Sequence, residues 1–147
     1  MSPEPTTSSA DDPEVVRRLL TEPGRWAVVG LSDNTDRPAY GVARFLQEQL
    51  GVEVVPVHPR AVDVHGERGF PDLAAADEHG PIDVVDCFVN SERVGAVVDQ
   101  AIAIGAKAVW MQLGVVDEAA AARAREAGLD VVMDACPAIE APRLGIV

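Results

Sequence analysis

The sequence repeats a strand-then-helix pattern about every 25 residues, and this spacing is typical of βαβ units. Five short apolar runs carry the strand signal, at residues 26–30, 52–57, 82–89, 106–111 and 129–133. They are rich in valine and continuous rather than alternating, as expected for strands that are covered on both faces. The pattern therefore predicts a parallel sheet between two layers of helices.

Helical periodicity fills the gaps between the apolar runs. A first helix would begin at Asp11 or Asp12 and end at Leu20, and further helices are predicted at 40–50, 91–104 and 117–127, with a short one at 73–77. Because β-α-β connections are right-handed, consecutive units build one continuous sheet. The predicted fold class is thus α/β, a three-layer Rossmann-like fold with a parallel sheet of five or six strands and helices on both faces.

A chain of 147 residues can form one core without disulfides or metals. We expect residues 1–10 to be a flexible N-terminal tail and residues 11–147 to form a single domain. The tail lacks the basic and apolar regions of a secretory signal. Cys87 and Cys136 form neither a metal-binding nor a disulfide pattern. These features indicate a cytoplasmic protein in a reducing compartment.

The chain is acidic, with 24 acidic and 12 basic residues and a net charge of −12. Such a surface repels phosphate backbones and anionic lipids, so neither nucleic acid nor a membrane is an expected partner. We expect a monomer or a weak homodimer that binds a small molecule. An anionic ligand would need a local group of basic side chains.

Ligands of open parallel sheets bind at the carboxyl ends of the strands, so the residues that follow each strand are the candidates. After the first strand, residues 30–41 are small and turn-forming, which lets backbone N–H groups and a helix N-terminus approach a phosphate. The segment is a poor dinucleotide fingerprint, because Gly30 is its only glycine in place. An ordinary turn is the alternative.

The second strand ends in His58, Pro59 and Arg60, where NAD-binding proteins usually carry an acidic residue for the ribose. A cation here suits a phosphorylated ribose, which NADP and coenzyme A both contain. Arg60 can bind a phosphate through two parallel hydrogen bonds. The alternative is that these are solubilising surface residues.

Two further strand ends offer apolar and amide groups. Phe88 and Val89 follow the third strand and could form a wall for an adenine or a pantetheine arm, or could simply pack in the core. Gln112 and Gly114 follow the fourth strand. The amide of Gln112 could bond to pantetheine or could belong to a turn.

The sequence contains no catalytic or metal-binding motif that we recognise, so we predict no catalytic residue and no metal ligand. Asp83 and Asp86 flank the apolar core of the third strand and are expected to be solvated carboxylates rather than an acid–base pair. Cys136 could form a mixed disulfide with the thiol of coenzyme A. A buried, inert cysteine is the commoner case.

Four segments at strand ends resemble the free-standing CoA-binding domain family, which is related to the domain that opens the α subunit of succinyl-CoA synthetase. The resemblance covers residues 25–143. Its motifs are VVGLS with DRP at 28–32 and 36–38, PVHPR at 56–60, AKAVWMQLG at 106–114 and DACP at 134–137.

The resemblance implies where each part of coenzyme A would bind. The turn after the first strand and the following helix start would hold the diphosphate, and the second strand end would receive the 3′-phosphorylated ribose. Adenine would lie against the second and third strand ends, and the pantetheine arm would follow the third and fourth. The implied binding residues are Gly30, Leu31, Ser32, Arg37, Pro38, Tyr40, Gly41, Val57, His58, Pro59, Arg60, Phe88, Val89, Asn90, Gln112 and Gly114.

We therefore expect the chain to bind coenzyme A or an acyl-CoA and to act as a non-catalytic carrier, sensor or regulatory module. It contains no segment like the phosphohistidine segment of succinyl-CoA synthetase, so we expect no activity of this chain on its own. Two alternatives stay open: an NADP-binding oxidoreductase-like domain, and an accessory subunit of a split acyl-CoA ligase.

Overall fold

The computed structural model describes residues 11–147, which form six helices and a five-stranded sheet. The predicted tail at residues 1–10 lies outside the described residues. In chain order the elements are α1 (Pro13–Thr21), β1 (Arg25–Val29), α2 (Pro38–Gln49), β2 (Glu53–Val57), α3 (Leu73–Glu78), β3 (Val84–Cys87), α4 (Ser91–Ala103), β4 (Ala108–Met111), α5 (Glu118–Glu126), β5 (Asp130–Val132) and α6 (Pro137–Arg143). The predicted Rossmann-like α/β fold is confirmed.

The sheet is parallel throughout, with strand order β2-β1-β3-β4-β5. Val29 at the end of β1 pairs with Val57 on one side and with Cys87 on the other, so three strands end at one level. The order reverses between β1 and β3. The loops after these two strands therefore diverge and leave a crevice at the carboxyl edge of the sheet.

Side chains that alternate along the strands form two hydrophobic layers, one on each face of the sheet. On one face, β-strand valines pack with residues of α3, α4 and α5. On the other face, α1, α2 and α6 cover Trp26 and Trp110, whose ring centroids are 5.6 Å apart. We call this second side the α2 face. Burial on both faces explains why the strands read as continuous apolar runs.

The long connection after β2 protects the edge of the sheet. Phe70 accepts a hydrogen bond from the backbone N–H of His58 at 3.0 Å and donates one to the carbonyl of Pro56 at 2.9 Å. This single parallel bridge stands where a sixth strand would lie. At the opposite edge, the carboxylate of Asp11 accepts from the N–H of Met133 at 2.8 Å, so both edges have covered backbone groups.

The ends of the helices agree with most of the predicted caps. Asp12 accepts a hydrogen bond from the N–H of Glu14, and Asp117 caps α5 in the same way. Helix α6 was not predicted, because its short Pro-containing segment has no clear apolar period. No helix within residues 11–147 is long and apolar enough to cross a membrane.

Candidate ligand site at the carboxyl edge of the sheet

A glycine turn brings the ends of three strands together. The N–H of Gly30 donates to the carbonyl of Val57 at 2.8 Å, and Gly30 has a φ of +102°. A Cβ at this position would collide with the carbonyl oxygen of Phe88. The turn therefore needs glycine for its backbone conformation and for the close approach of the β3 end.

The amino terminus of α2, directly after this turn, has no side-chain cap. Side chains of Asp12, Asp72, Asn90 and Asp117 cap α1, α3, α4 and α5, whereas Arg37 occupies the N-cap of α2 and makes no cap bond. The first turn of α2 also contains no acidic residue. Pro38 has no N–H, and the N–H of Tyr40 donates to the carbonyl of Arg37 at 3.1 Å. The N–H of Ala39 and the positive dipole end are therefore what this helix offers to an anion.

The loop between β1 and α2 is held by its own hydrogen bonds. The hydroxyl of Ser32 accepts from the N–H of Asn34 at 3.2 Å, and the side chain of Asn34 accepts from the N–H of Asp36 at 3.0 Å. Ser32 is buried, and the side chain of Leu31 is completely buried in the core. Leu31 therefore offers no exposed surface to a ligand in this structure, although the resemblance implied it as a binding residue.

The environment of His58 favours its neutral imidazole over the charged imidazolium. Nδ1 of His58 accepts from the N–H of Arg60 at 3.2 Å. Burial lowers the pKa of His58, the nearby Arg60 lowers it further, and Asp33 opposes the shift. The positive charge at the end of β2 thus belongs to Arg60 rather than to His58.

Arg60 lies at the mouth of the crevice and forms an ion pair with Asp33 in the β1–α2 loop. Arg44, which the sequence places in the same βαβ unit, instead contacts Glu48 at 3.9 Å and His65 at 3.3 Å along the side of α2. The exposed Arg37 and Arg60 are consequently the cations that the fold brings to the crevice.

The two residues that follow β3, Phe88 and Val89, lie on opposite faces of the sheet. Phe88 donates its N–H to the carbonyl of Val29 at 2.9 Å and packs against the α2 face, whereas Val89 packs against the opposite layer. Phe88 is therefore an apolar side chain directly beside the Gly30 turn. Oδ1 of Asn90 caps α4 by accepting from the N–H of Arg93, so its amide nitrogen is the part left for a ligand.

The fourth strand end is fixed by two side chains that sequence reasoning missed. Asp134, in the left-handed region with a φ of +59°, accepts from the N–H of Gly114 at 2.7 Å. The hydroxyl of Ser91 donates to the carbonyl of Gly114 and accepts from the N–H of Val116. Both backbone groups of Gly114 are thus occupied, and the exposed Leu113 beside it is the more accessible contact.

Asp86 is completely buried, which contradicts the expectation that it is solvated. It lies inside β3 between Val28 and Trp110, whereas Asp83 precedes the strand and receives a hydrogen bond from the N–H of Arg25. Neither carboxyl oxygen of Asp86 has a hydrogen-bond partner. Burial raises the pKa of Asp86 well above its ordinary value. The burial of Asp86 was not predicted, because a single polar residue in an otherwise apolar run is easily taken for the end of a strand.

Both cysteines are buried and free, and Cys136 occupies the N-cap of α6. Within residues 11–147, no group of three or more His, Cys, Asp or Glu could hold a metal ion. A cavity of about 110 Å³ lies between α1 and α6, lined in part by Asp11, Asp134 and Leu144. It is too small for a nucleotide. The strand order instead places the candidate site between the loops that follow β1 and β3.

Comparisons with known proteins agree with this geometry. The sequence matches the family model of the CoA binding domain over residues 24–142. The uncharacterized protein YneT of Bacillus subtilis is 36% identical over 121 residues, which are 82% of this chain and 87% of that protein. A hypothetical protein from Pyrococcus horikoshii has a TM-score of 0.84 and 35% identity, covering 98% of this chain and 99% of its own.

A dinucleotide-forming acetyl-coenzyme A synthetase of Ca. Korarchaeum cryptofilum is a more distant structural match. Its TM-score is 0.67 at 23% identity, and the match covers 81% of this chain but only 28% of the synthetase chain. At that identity the likeness concerns the fold.

Proposed function

Because the chain belongs to the CoA-binding domain family, we propose that residues 11–147 form one domain that binds coenzyme A or an acyl-CoA at the carboxyl edge of the sheet. The observation that carries this proposal is the uncapped amino terminus of α2, which follows the Gly30 turn directly. A diphosphate at this point would accept a hydrogen bond from the N–H of Ala39 and would face the positive end of the helix dipole.

The 3′-phosphate of the ribose would bind Arg60. Its guanidinium already contacts a carboxylate, Asp33, across the mouth of the crevice, which shows that its side chain reaches toward the β1–α2 loop. Guanidinium and phosphate match in geometry and form paired, charge-assisted hydrogen bonds. In a chain with a net charge of −12, this cation provides the local attraction that a polyanionic ligand needs.

The remaining parts of the ligand would follow the strand ends in order. Adenine would pack against the half-buried Phe88, whereas Val57, at 3% exposure, offers it little surface. The pantetheine arm would run past the free amide nitrogen of Asn90 and past Gln112. Amides of this kind match the amide groups of pantetheine as hydrogen-bond partners.

We infer a carrier, sensor or regulatory role because the polar groups of the crevice are already used to hold its shape. Asn90 caps a helix, Ser91 and Asp134 fix the loop after β4, and the imidazole of His58 bonds to the backbone of Arg60. Groups that are engaged in this way favour tight, preorganised binding.

Ligand-dependent thermal unfolding tests the proposal, since a ligand that binds only the folded state raises Tm by mass action. Coenzyme A, NADP and NAD are compared at equal concentration. We expect the largest increase with coenzyme A. An equal or larger increase with NADP would favour the oxidoreductase-like alternative, and no increase with coenzyme A would refute the proposal.

The variant Arg37→Asp makes this test specific to α2. An aspartate at the N-cap stabilises the helix by about 1 kcal/mol, and its carboxylate would compete with a diphosphate for the N–H of Ala39 and for the positive dipole end. We therefore expect a higher Tm for the free protein and loss of the increase with coenzyme A. Arg125→Asp, on the exposed side of α5, is the matched charge control and should keep the ligand-dependent increase.

A further inference from the structure

Three buried side-chain atoms within residues 11–147 have no hydrogen-bond partner, and all three belong to two residues: both carboxyl oxygens of Asp86 and Oε1 of Gln112. Unpartnered buried polar atoms are rare in folded proteins and usually have a specific cause. The two residues are neighbours in the sheet, which makes a shared cause the simplest one.

The strand register places both side chains on the α2 face. Asp86 pairs with Trp110, and the ladder continues to Gln112, whose N–H donates to the carbonyl of Cys87 at 3.4 Å. Gln112 is thus two residues beyond the partner of Asp86, on the same face. Strands lie about 4.8 Å apart and two residues advance about 6.6 Å, so the two Cα atoms are about 8 Å apart, within the combined reach of the side chains.

Other donors near Asp86 are occupied or absent from its surroundings. Nε1 of Trp110 donates to the carbonyl of Ala135 at 2.9 Å, and Val28 on the other side is apolar. The buried residues of α1, α2 and α6 are also apolar. No charged group contributes to the raised pKa of Asp86, and the titratable group that responds to it is the Cys87 thiol, whose pKa is raised by burial and then by Asp86.

The amide of Gln112 has a defined orientation. Its oxygen Oε1 is buried and has no hydrogen-bond partner. Its nitrogen makes no hydrogen bond to the described residues either, but it is not one of the buried atoms that lack a partner. The nitrogen therefore lies on the open side, at the carboxyl edge of the sheet. Two inward-facing acceptors can bond directly to each other only when one of them carries a proton.

We propose that Asp86 is protonated and donates a hydrogen bond to Oε1 of Gln112, and that this bond holds the amide nitrogen of Gln112 toward the pantetheine arm, so the inference rests on the proposed function. Asp86 is then a positioning residue that never touches the ligand. Asp86 thereby determines that the amide group of Gln112 facing the ligand is a donor, and a donor matches a pantetheine carbonyl.

The opposite arrangement makes a distinguishable prediction. An ionised Asp86 would accept from the nitrogen of a flipped Gln112 amide, and the oxygen would then face the ligand as an acceptor. The infrared difference spectrum between the free wild-type protein and Asp86→Asn separates the two. We expect the wild type at neutral pH to show the carbonyl band of a carboxylic acid, and a carboxylate band would overturn the proposal.

Side-chain amide resonances of uniformly ¹⁵N-labelled protein test the bond itself, again without ligand. The Gln112 pair is assigned by its loss in Gln112→Met. Asp86→Asn keeps a hydrogen-bond donor, so the chemical shifts of the Gln112 amide pair should stay different from those of exposed glutamines. Asp86→Leu has a similar volume but no donor, so the chemical shifts of the pair should move toward those of exposed glutamines. An unchanged pair in Asp86→Leu would overturn the bond.

Titration with coenzyme A completes the test. We expect Asp86→Asn to bind within about twofold of the wild type and Asp86→Leu about tenfold more weakly, the loss of one oriented hydrogen bond. Asp83→Asn, at the amino edge, is the matched control and should bind as the wild type does. Equal affinity in Asp86→Leu would refute the positioning role. A wild type that binds no coenzyme A would refute the proposed function, while the spectra would still decide the bond.

Discussion

Nη2 of Arg60 lies 3.5 Å from Oδ1 of Asp33, and this ion pair joins the loop after β2 to the loop after β1 across the mouth of the crevice. The two side chains are 58% and 63% exposed, so the pair contributes little to folding. A ligand phosphate carries more charge than Asp33 and offers paired acceptors. Asp33 is therefore a competitor that a phosphate would displace from Arg60.

Arg60→Ala should weaken binding of coenzyme A by about tenfold or more, because it removes a charge-assisted pair with the 3′-phosphate. Dephospho-CoA lacks that phosphate, so its affinity should change less than about twofold in the same variant. Isothermal titration with both ligands checks the difference. Arg125→Ala controls for the loss of one surface charge, and equal losses for both ligands would place Arg60 away from the ribose.

Asp33→Asn should strengthen binding of coenzyme A by about threefold, since an exposed ion pair of up to about 1 kcal/mol no longer holds Arg60. This increase in affinity should be absent with dephospho-CoA and should be smaller at high ionic strength, where exposed charges are screened. Titrations at two salt concentrations measure this. Weaker binding in Asp33→Asn would mean that its carboxylate contacts the ligand directly.

Gly30→Ala should destabilise the protein by about 2–4 kcal/mol, because a Cβ would collide with the carbonyl of Phe88 and φ is positive. Gly41→Ala is the matched comparison: it lies in α2 with no heavy atom near its Cβ position. Removing glycine from a helix should stabilise the protein by about 0.5–1 kcal/mol. Chemical denaturation of both variants gives the two values, and similar values would contradict the close approach at Gly30.

The raised pKa of Asp86 makes a signed prediction about pH. Above about pH 4 the unfolded chain loses this proton and the folded protein keeps it, so the free energy of unfolding falls with rising pH up to the folded pKa. Asp86→Asn removes that contribution. Its stability relative to the wild type should increase by up to about 1.4 kcal/mol per pH unit between pH 5 and 7. If the free energies of unfolding of the wild type and of Asp86→Asn changed in parallel with pH, Asp86 would be ionised in the folded protein.

The strands and the crevice were predictable because they depend on local sequence. Five valine-rich runs at regular spacing determine a parallel sheet, and strand ends such as Gly30 and Arg60 then fall at its carboxyl edge. The resemblance to the CoA-binding domain family is confirmed by the family match. The assignment of individual residues to parts of the ligand stays a prediction.

The contacts that the sequence did not reveal join residues far apart in the chain. Asp134 bonds to Gly114, and Ser91 to the same loop, through pairs separated by 20 positions or more, which no local pattern encodes. The burial of Asp86 depends on the strands and helices on either side of β3. The opposite faces of Phe88 and Val89 follow from the pleat only once the strand end is known.

Amide chemical-shift mapping tests the central claim most directly, because it locates the ligand without any substitution. On addition of coenzyme A to ¹⁵N-labelled protein, we predict the largest shifts at residues 30–41, 58–60 and 88–90. Shifts concentrated around the cavity between α1 and α6, at Asp11 and Leu144, would contradict the account, as would a spectrum that does not change.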